Sequence, residues 1–197
     1  SDAATVDAAA RHALLAFEQL IKTSPLPPRT PIVILYGNVP ERPAGLIDDA
    51  VKLLIATGAD SVQSYAPVGK HHPWWTCVVD DLSGCVRPFD GEPGDALFHN
   101  TYRRQSLPPA HVPDGGVMVV SRRALMLELV GVPAGPHAFL GPASARRGII
   151  NPEGAVIDID SALDLIVADA VMRRRDTERN NMRPARAILQ AGAGAGH

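Results

Sequence analysis

Pro31-Ile32-Val33-Ile34-Leu35-Tyr36-Gly37, followed by Leu46-Ile47-Asp48-Asp49-Ala50-Val51-Lys52-Leu53-Leu54 and then by Gly58-Ala59-Asp60-Ser61-Val62, decides the class of fold. The first segment is an unbroken apolar, β-branched run between a proline and a glycine, which predicts a buried parallel strand over Ile32 to Tyr36. In the second, Leu46, Ile47, Ala50, Val51 and Leu54 recur at helical spacing and stop at Gly58, the residue type that most readily closes a helix. A further strand is predicted from Ser61 to Ala66. Strand, helix and strand in that order argue an α/β protein.

The same reading extends outward in both directions. Upstream, Val6, Ala10, Ala13, Phe17 and Ile21 form an amphipathic helix with Thr5 or Asp2 available as its cap. Downstream, two short strands between Trp74 and Phe89 flank Asp80-Asp81-Leu82-Ser83-Gly84, a hairpin turn, and the stretch from Asp90 to Pro113 is loop-rich, suited to a lid or a dimer arm. Val117 to Val120 and Ala155 to Ile159 are further buried-strand candidates. Ser161 opens a last helix running through Leu165 to Met172, with Asp164 placed to complete a capping box. Residues 1–175 read as one domain. Residues 176–197 turn basic and end in Ala-Gly repeats, a composition that buries little and predicts a mobile tail or an arm onto another subunit.

Composition narrows the functional classes. The chain has 197 residues, 46% of them hydrophobic and 20% charged, which is enough for one sizeable core. A formal charge of −2 leaves no basic footprint for nucleic acid and no strong field toward a membrane surface. No apolar run approaches the roughly 20 residues needed to cross a bilayer, and the first residues lack the features of a signal peptide, so a cytoplasmic location is expected. Cys77 and Cys85 lie on the two arms of the hairpin; a bridge between them is sterically open, while reduced thiols are the expectation for that compartment.

Four groups of residues are able to carry chemistry. Asp158 and Asp160 alternate with Ile157 and Ile159, so in an extended backbone both carboxylates share one face. Such a pair attracts a cation, and Mg²⁺ with phosphate oxygens suits it; the plainer alternative is a strand end whose acids cap the following helix. Arg103-Arg104-Gln105 offers paired guanidinium groups for a carboxylate or phosphate, or else a solvated surface pair. Lys70 and His72 sit in the cluster Lys70-His71-His72-Pro73-Trp74-Trp75, where adjacent imidazoles point opposite ways: one contacts a ligand while its neighbour packs, and the indoles serve as core or as an oligomer contact. Asn38 and Arg42 occupy the loop after the first strand, at the edge where open α/β sheets bind ligands, although a Pro-Gly-rich turn accounts for them equally. Asp114 precedes Gly115-Gly116, a turn feeding a buried strand. No glycine-rich phosphate loop of either common type is present.

Taken in order, Ile34-Leu35-Tyr36-Gly37-Asn38-Val39-Pro40-Glu41-Arg42, Gly58-Ala59-Asp60-Ser61-Val62 with His71-His72-Pro73, Tyr102-Arg103-Arg104-Gln105-Ser106-Leu107-Pro108 with Pro113-Asp114-Gly115-Gly116-Val117, and Ile157-Asp158-Ile159-Asp160 resemble the acylneuraminate and 3-deoxy-manno-octulosonate cytidylyltransferases. The resemblance implies a nucleotide-diphospho-sugar transferase (GT-A-like) fold: a mixed sheet with helices on both faces, a protruding hairpin or dimer arm, and a homodimer. It also implies a nucleotidyltransferase that moves CMP from CTP to an acidic sugar with release of pyrophosphate, as in the building of cell-surface polysaccharide. On this match Asp158 and Asp160 hold Mg²⁺ and are catalytic, while Arg103, Arg104 and Gln105 help bind the sugar, with Asn38, Arg42, Lys70, His72 and Asp114 as further substrate contacts.

Two departures accompany the resemblance. Relatives of this type open with a strand and a basic, glycine-containing loop that grips the CTP phosphates; the present sequence has no counterpart, which makes an N-terminally truncated, inactive chain the expectation. Sialate-specific members carry glutamine where Tyr36 stands, arginine where Val112 stands and asparagine where Asp114 stands, which points to a related acidic sugar. The competing expectation is a non-catalytic sugar-binding or assembly protein built on the same fold.

Overall fold

The computed structural model describes residues 5–22, 25–92 and 94–193, with side chains described through residue 178. Helix α1 (Val6–Leu20) opens at Thr5; Asp2, the other cap candidate, lies outside the described residues. Strand β1 (Pro31–Ile34) leads to helix α2 (Leu46–Thr57), which ends at Gly58 in a left-handed conformation, φ 61°, as its residue type foretold. Strand β2 (Ser61–Pro67) follows, then the hairpin β3 (Cys77–Val79) and β4 (Val86–Pro88). Strand β5 (His111–Ser121) runs into the short helix α3 (Arg122–Leu125), and strand β6 (Arg146–Ile150) precedes helix α4 (Ala162–Ala193).

The main sheet has the order β1-β5-β2-β6. It is mixed: β5 pairs antiparallel with both β1 and β2, and β2 pairs in parallel with β6. Its centre is β5, whose residues alternate between two cores. Met118 and Val120 face α1, packing with Leu14, Leu125, Phe139 and Leu140. Val117 and Val119 face α2, packing with Leu46, Ala50, Leu54 and Val62. Helices therefore cover both faces of a mixed α/β sheet. Val62, Val119 and Val120 are fully buried, each worth roughly 1.5–3 kcal/mol relative to exposure.

Polar staples fix the helices to this sheet. Arg122 donates from Nε to Glu18 Oε1 at 2.7 Å, and its Nη1 reaches Glu128 at 3.0 Å, tying α1 to α3. The Arg122 hydrogen bond holds the Glu18 carboxyl below the usual glutamate range. Asp60 is buried at the start of β2 and accepts from Arg123 Nε at 2.8 Å, from Arg123 Nη2 at 3.0 Å and from Ser121 Oγ at 2.9 Å.

Three sequence expectations are corrected by this architecture. β1 is an antiparallel edge strand, half-exposed at Val33, and its unbroken apolar run reflects helices on both sides of the sheet rather than a parallel neighbour on each edge. Ala155 to Ile159 is not a strand; it begins in a bend at Ala155 and Val156 and stays outside the sheet, and the parallel edge position beside β2 is taken by β6. α4 continues past Met172 to Ala193, so residues 176–193 belong to the same helix as residues 162–175, while residues 194–197 lie outside the described residues. The free cysteines agree with the expected reduced thiols, while the bridge left sterically open is ruled out: Cys77 pairs with Pro88 and Cys85 sits beyond the Val79–Val86 rung, about 10 Å away along the hairpin.

The hairpin turn itself matches its sequence. Asp80 Oδ1 accepts from the Leu82 and Ser83 amides and from Ser83 Oγ, and Gly84 takes φ 69°. Beyond it Phe98, His99 and Asn100 are consecutively left-handed, at φ 59°, 47° and 55°. Such a run costs about 1–2 kcal/mol per residue. Offsetting contacts come from the turn Pro73–Trp75 before the hairpin: His99 stacks on Trp74 with ring centroids 5.0 Å apart, and Trp75 Nε1 donates to Thr101 O at 2.7 Å. Among the described residues no helix is long and apolar enough to cross a membrane.

Candidate functional site

The Asp158 carboxylate stands beside an irregularity in the central strand. Between Gln63 and Tyr65 the β2–β5 register jumps, because Asp114 to Gly116 bulge out of β5. Local chemistry explains the bulge. Asp114 Oδ1 accepts from Ser64 Oγ at 2.5 Å and from the Gly116 amide at 3.0 Å, its Oδ2 accepts from Asn151 Nδ2 at 2.7 Å, and the Val117 amide donates to Ser64 Oγ at 2.8 Å. Gly115 lies at φ 72°, where a Cβ would stand 3.4 Å from Asp158 Oδ2.

Here Asp158 lines a cavity of about 170 Å³ with Tyr36, Gln63, Ser64, Pro113 and Gly115. A second cavity of about 570 Å³ shares Tyr36, Gln63, Pro113 and Met118 with the first and extends to His137 and Arg146. The smaller volume alone falls below the roughly 300–1,000 Å³ of ligand pockets, whereas the two together fall within it. A larger hollow, about 800 Å³, lies elsewhere, between α1 and β1. Its lining is almost wholly apolar and offers nothing for phosphate chemistry, so the aspartate cavity is the better candidate for a reacting site.

Asp158 and Asp160 keep the alternation read from sequence although their segment joins no sheet: both carboxylates are exposed and Ile157 and Ile159 are half-buried. One backbone bond docks the segment, from the Ile159 amide to Asn38 O at 3.0 Å. Asp160 Oδ1 accepts from Asn38 Nδ2 at 2.9 Å, and its amide donates to Asp164 Oδ2 at 3.2 Å. The capping box also forms, Ser161 donating from both its amide and its hydroxyl to Asp164 Oδ2, and it holds the Asp164 carboxyl below its usual range. Capping is thus the task of Ser161 and Asp164, which frees Asp158 and most of Asp160 for a ligand.

Partial burial, and then the charges of Asp160 and Asp164, push the Asp158 carboxyl above the usual aspartate range. A folded-state value raised above the unfolded one means that ionising Asp158 costs stability as pH rises through it. Asp158→Asn is therefore expected to raise the thermal midpoint at pH 7 in divalent-free buffer by about 1–2 °C, a small shift because the group is largely solvent-screened. The gain should vanish below the ordinary aspartate value; differential scanning calorimetry at pH 7 and pH 3.5 measures it, and an equal gain at both would contradict the electrostatic cause. The same crowding suits Mg²⁺, a hard cation commonly held by one or two carboxylates and completed by phosphates and water. Among the described residues no three His, Cys, Asp or Glu side chains gather as a ready metal cage.

Other residues singled out in the sequence take different places. Arg42 donates from Nε to Gly116 O at 2.6 Å, from Nη1 to Val39 O at 3.0 Å and from Nη2 to Tyr36 O at 2.7 Å, so it binds the loop after β1 to the bulge and directs those donors at backbone rather than at a ligand. Asp114 is occupied by its three protein donors in the same way. His72 is buried; its Nδ1 accepts the Trp74 amide at 3.2 Å, which leaves the proton on Nε2 to bond Pro108 O at 3.0 Å. It is the packing member of its pair, holding the turn before the hairpin to the loop before β5. Lys70, Arg103, Arg104 and Gln105 are exposed, with Arg104 Nη2 3.7 Å from Glu153 Oε2 on the segment that leads to the aspartates.

Sequence reasoning did not single out Gln63, Ser64, His137, Arg146 or Asn151. Ser64 and Gln63 lie in a predicted strand, where alternation alone would have put one of them on each face; the bulge that brings both to the cavity depends on Asp114, fifty residues away. No protein-family model matches the chain, and no curated protein matches its sequence.

Proposed function

We propose that this chain binds the acidic sugar and the metal in a cytidylyltransferase reaction, which joins CMP from CTP to an acidic sugar and releases pyrophosphate. The observation that carries the reading is the Asp158–Asp160 pair, which has no ion-pair partner among the described residues, with Asp158 lining a cavity beside the β5 bulge and Asp160 held by Asn38. In the reaction the sugar's anomeric hydroxyl oxygen forms a bond to the α-phosphorus of CTP, the bond from that phosphorus to the bridging oxygen breaks, and the hydroxyl proton leaves to solvent. Mg²⁺, when bound, supplies charge neutralisation for the phosphates. Asp158 and Asp160 would hold it, and the exposed cations Arg103, Arg104 and Lys70 would meet the sugar carboxylate, the arginines by bidentate hydrogen bonds.

The homodimer stays part of the proposal, with the hairpin as its arm.

Pyrophosphate release with CTP, Mg²⁺ and a panel of acidic sugars tests the reading, run on this chain and on the product of the full coding sequence. Release that requires both Mg²⁺ and an acidic sugar is expected from the product of the full coding sequence, and Asp160→Asn should lower it about 100-fold or more. Silence from that product, shown to be folded, across a broad panel would overturn the transferase reading in favour of a sugar-binding or assembly protein.

A further inference from the structure

We infer that Asn38 is a positioning residue for the metal-binding carboxylate of Asp160, rather than a substrate contact; the inference rests on the metal reading above. Asn38 grips the aspartate segment twice. Its main-chain oxygen takes the Ile159 amide at 3.0 Å, and its side-chain Nδ2 donates to Asp160 Oδ1 at 2.9 Å. The first bond sets the height of the segment between the two aspartates. The second sets the rotation of the Asp160 carboxylate about its own axis. With the Asp160 amide bonded to Asp164 Oδ2, the residue is fixed at its backbone and at one oxygen, and Oδ2 is left to face a cation.

The platform that carries Asn38 is itself held. Arg42 binds three carbonyls on the two sides of the loop, at Tyr36, Val39 and Gly116. Arg175 of α4 pairs with Glu41 at 3.0 Å and donates to the carbonyls of Gly154 and Ala155, clamping the loop after β1 to the start of the aspartate segment. Asn38 thus projects from a braced loop onto a braced segment, so its amide has little freedom to give up on forming the bond.

The chemistry of an amide fits this task better than any charged group would. A lysine or arginine at position 38 would orient Asp160 while neutralising it, and so weaken its hold on a cation. An acid would add a further negative charge to a cluster in which Asp158 already feels two. Asparagine donates a hydrogen bond and leaves the charge of the site unchanged.

Titrating Mn²⁺ as the probe, and following the free-ion signal by electron paramagnetic resonance with and without CTP, tests this without recourse to turnover. Asn38→Ala is expected to weaken Mn²⁺ binding 10- to 100-fold, the usual effect of losing a group that orients a ligand, and Asn38→Gln to recover part of it. In an Asp160→Asn background, Asn38→Ala should weaken binding no further, because the carboxylate it orients is gone. Circular dichroism and the thermal midpoint show whether each variant is folded; Asn38 is exposed, so both should stay close to the parent's. If Asp160→Asn weakens Mn²⁺ binding and Asn38→Ala does not, the positioning role falls and the metal site stands. If neither substitution changes Mn²⁺ binding, or the unaltered chain binds none, the metal reading falls and the role of Asn38 with it.

Discussion

Asp60→Ala is expected to lose about 3–5 kcal/mol of folding stability, toward the lower end of that range because the Arg123 side chain keeps some access to water. Asp60 is only 3% exposed, and its carboxylate serves two partners where β5 runs into α3, bidentate to Arg123 and singly to Ser121. Removing it strands a guanidinium whose two carboxylate bonds were its anchor, and the unpaired charge costs far more than the pair contributes. The loss should appear as a lower urea midpoint at unchanged slope, since the same surface is exposed on unfolding. Asp60→Asn keeps one acceptor oxygen for Ser121 and Arg123 Nε and should lose less. A midpoint that stays put in the alanine variant would show that Arg123 finds water or another acceptor at little cost, and that the buried carboxylate does not anchor the sheet.

The second large effect is expected at the bulge. Gly116 has an ordinary backbone conformation, so space alone decides the outcome. A Cβ there would stand 2.8 Å from Ser64 Oγ, 2.9 Å from Val156 Cγ2 and 3.0 Å from Leu46 Cδ2. None of these atoms gives way easily: the Ser64 hydroxyl is bound to Asp114 and to the Val117 amide, Val156 is β-branched, and Leu46 is buried in the α2 core. Gly116→Ala should therefore cost about 1–3 kcal/mol by overpacking, read from the same urea midpoint. Gly37→Ala provides the matched comparison, since nothing lies within 4 Å of its Cβ position and it should be close to neutral. Equal behaviour of the two variants would mean that the bulge relaxes freely, and a relaxed bulge could not hold Asp158 beside the cavity.

Much of this fold is legible in local pattern. The α2 stripe ending at Gly58, the Asp80 turn, the capping box of Ser161 and Asp164 and the buried runs of β2 and β5 each rest on residues within a few positions of one another. What pattern could not supply is non-local. Arg146-Arg147-Gly148 reads as a charged, glycine-broken stretch, yet it is a parallel edge strand because β2 offers it a free ladder and Gly148 leaves room for the Tyr65 ring, whose Cδ2 lies 3.1 Å from the Cβ position. Ile157 to Asp160 shows the opposite case: the alternation is that of a strand, but its isoleucines are satisfied without a ladder and only Ile159 bonds across, to Asn38. At the site the acid pair was readable because two carboxylates at period two share a side in any extended chain. The tasks of Arg42, His72 and Asp114 were not, since each depends on which carbonyl or amide from a distant segment arrives within reach.

The alternation of β5 between two cores has a consequence for how the chain reaches its native state. A slip of one residue in the pairing of β5 would turn Met118 and Val120 toward α2 and Val117 and Val119 toward α1, spoiling both cores at once. Errors of register therefore meet a twofold penalty, and neither core is completed while the other is misaligned. The residues involved span Leu14 to Leu140, so the loops that must close before either core forms are long, which favours slow folding in a single cooperative step over stepwise assembly of the α1 and α2 sides.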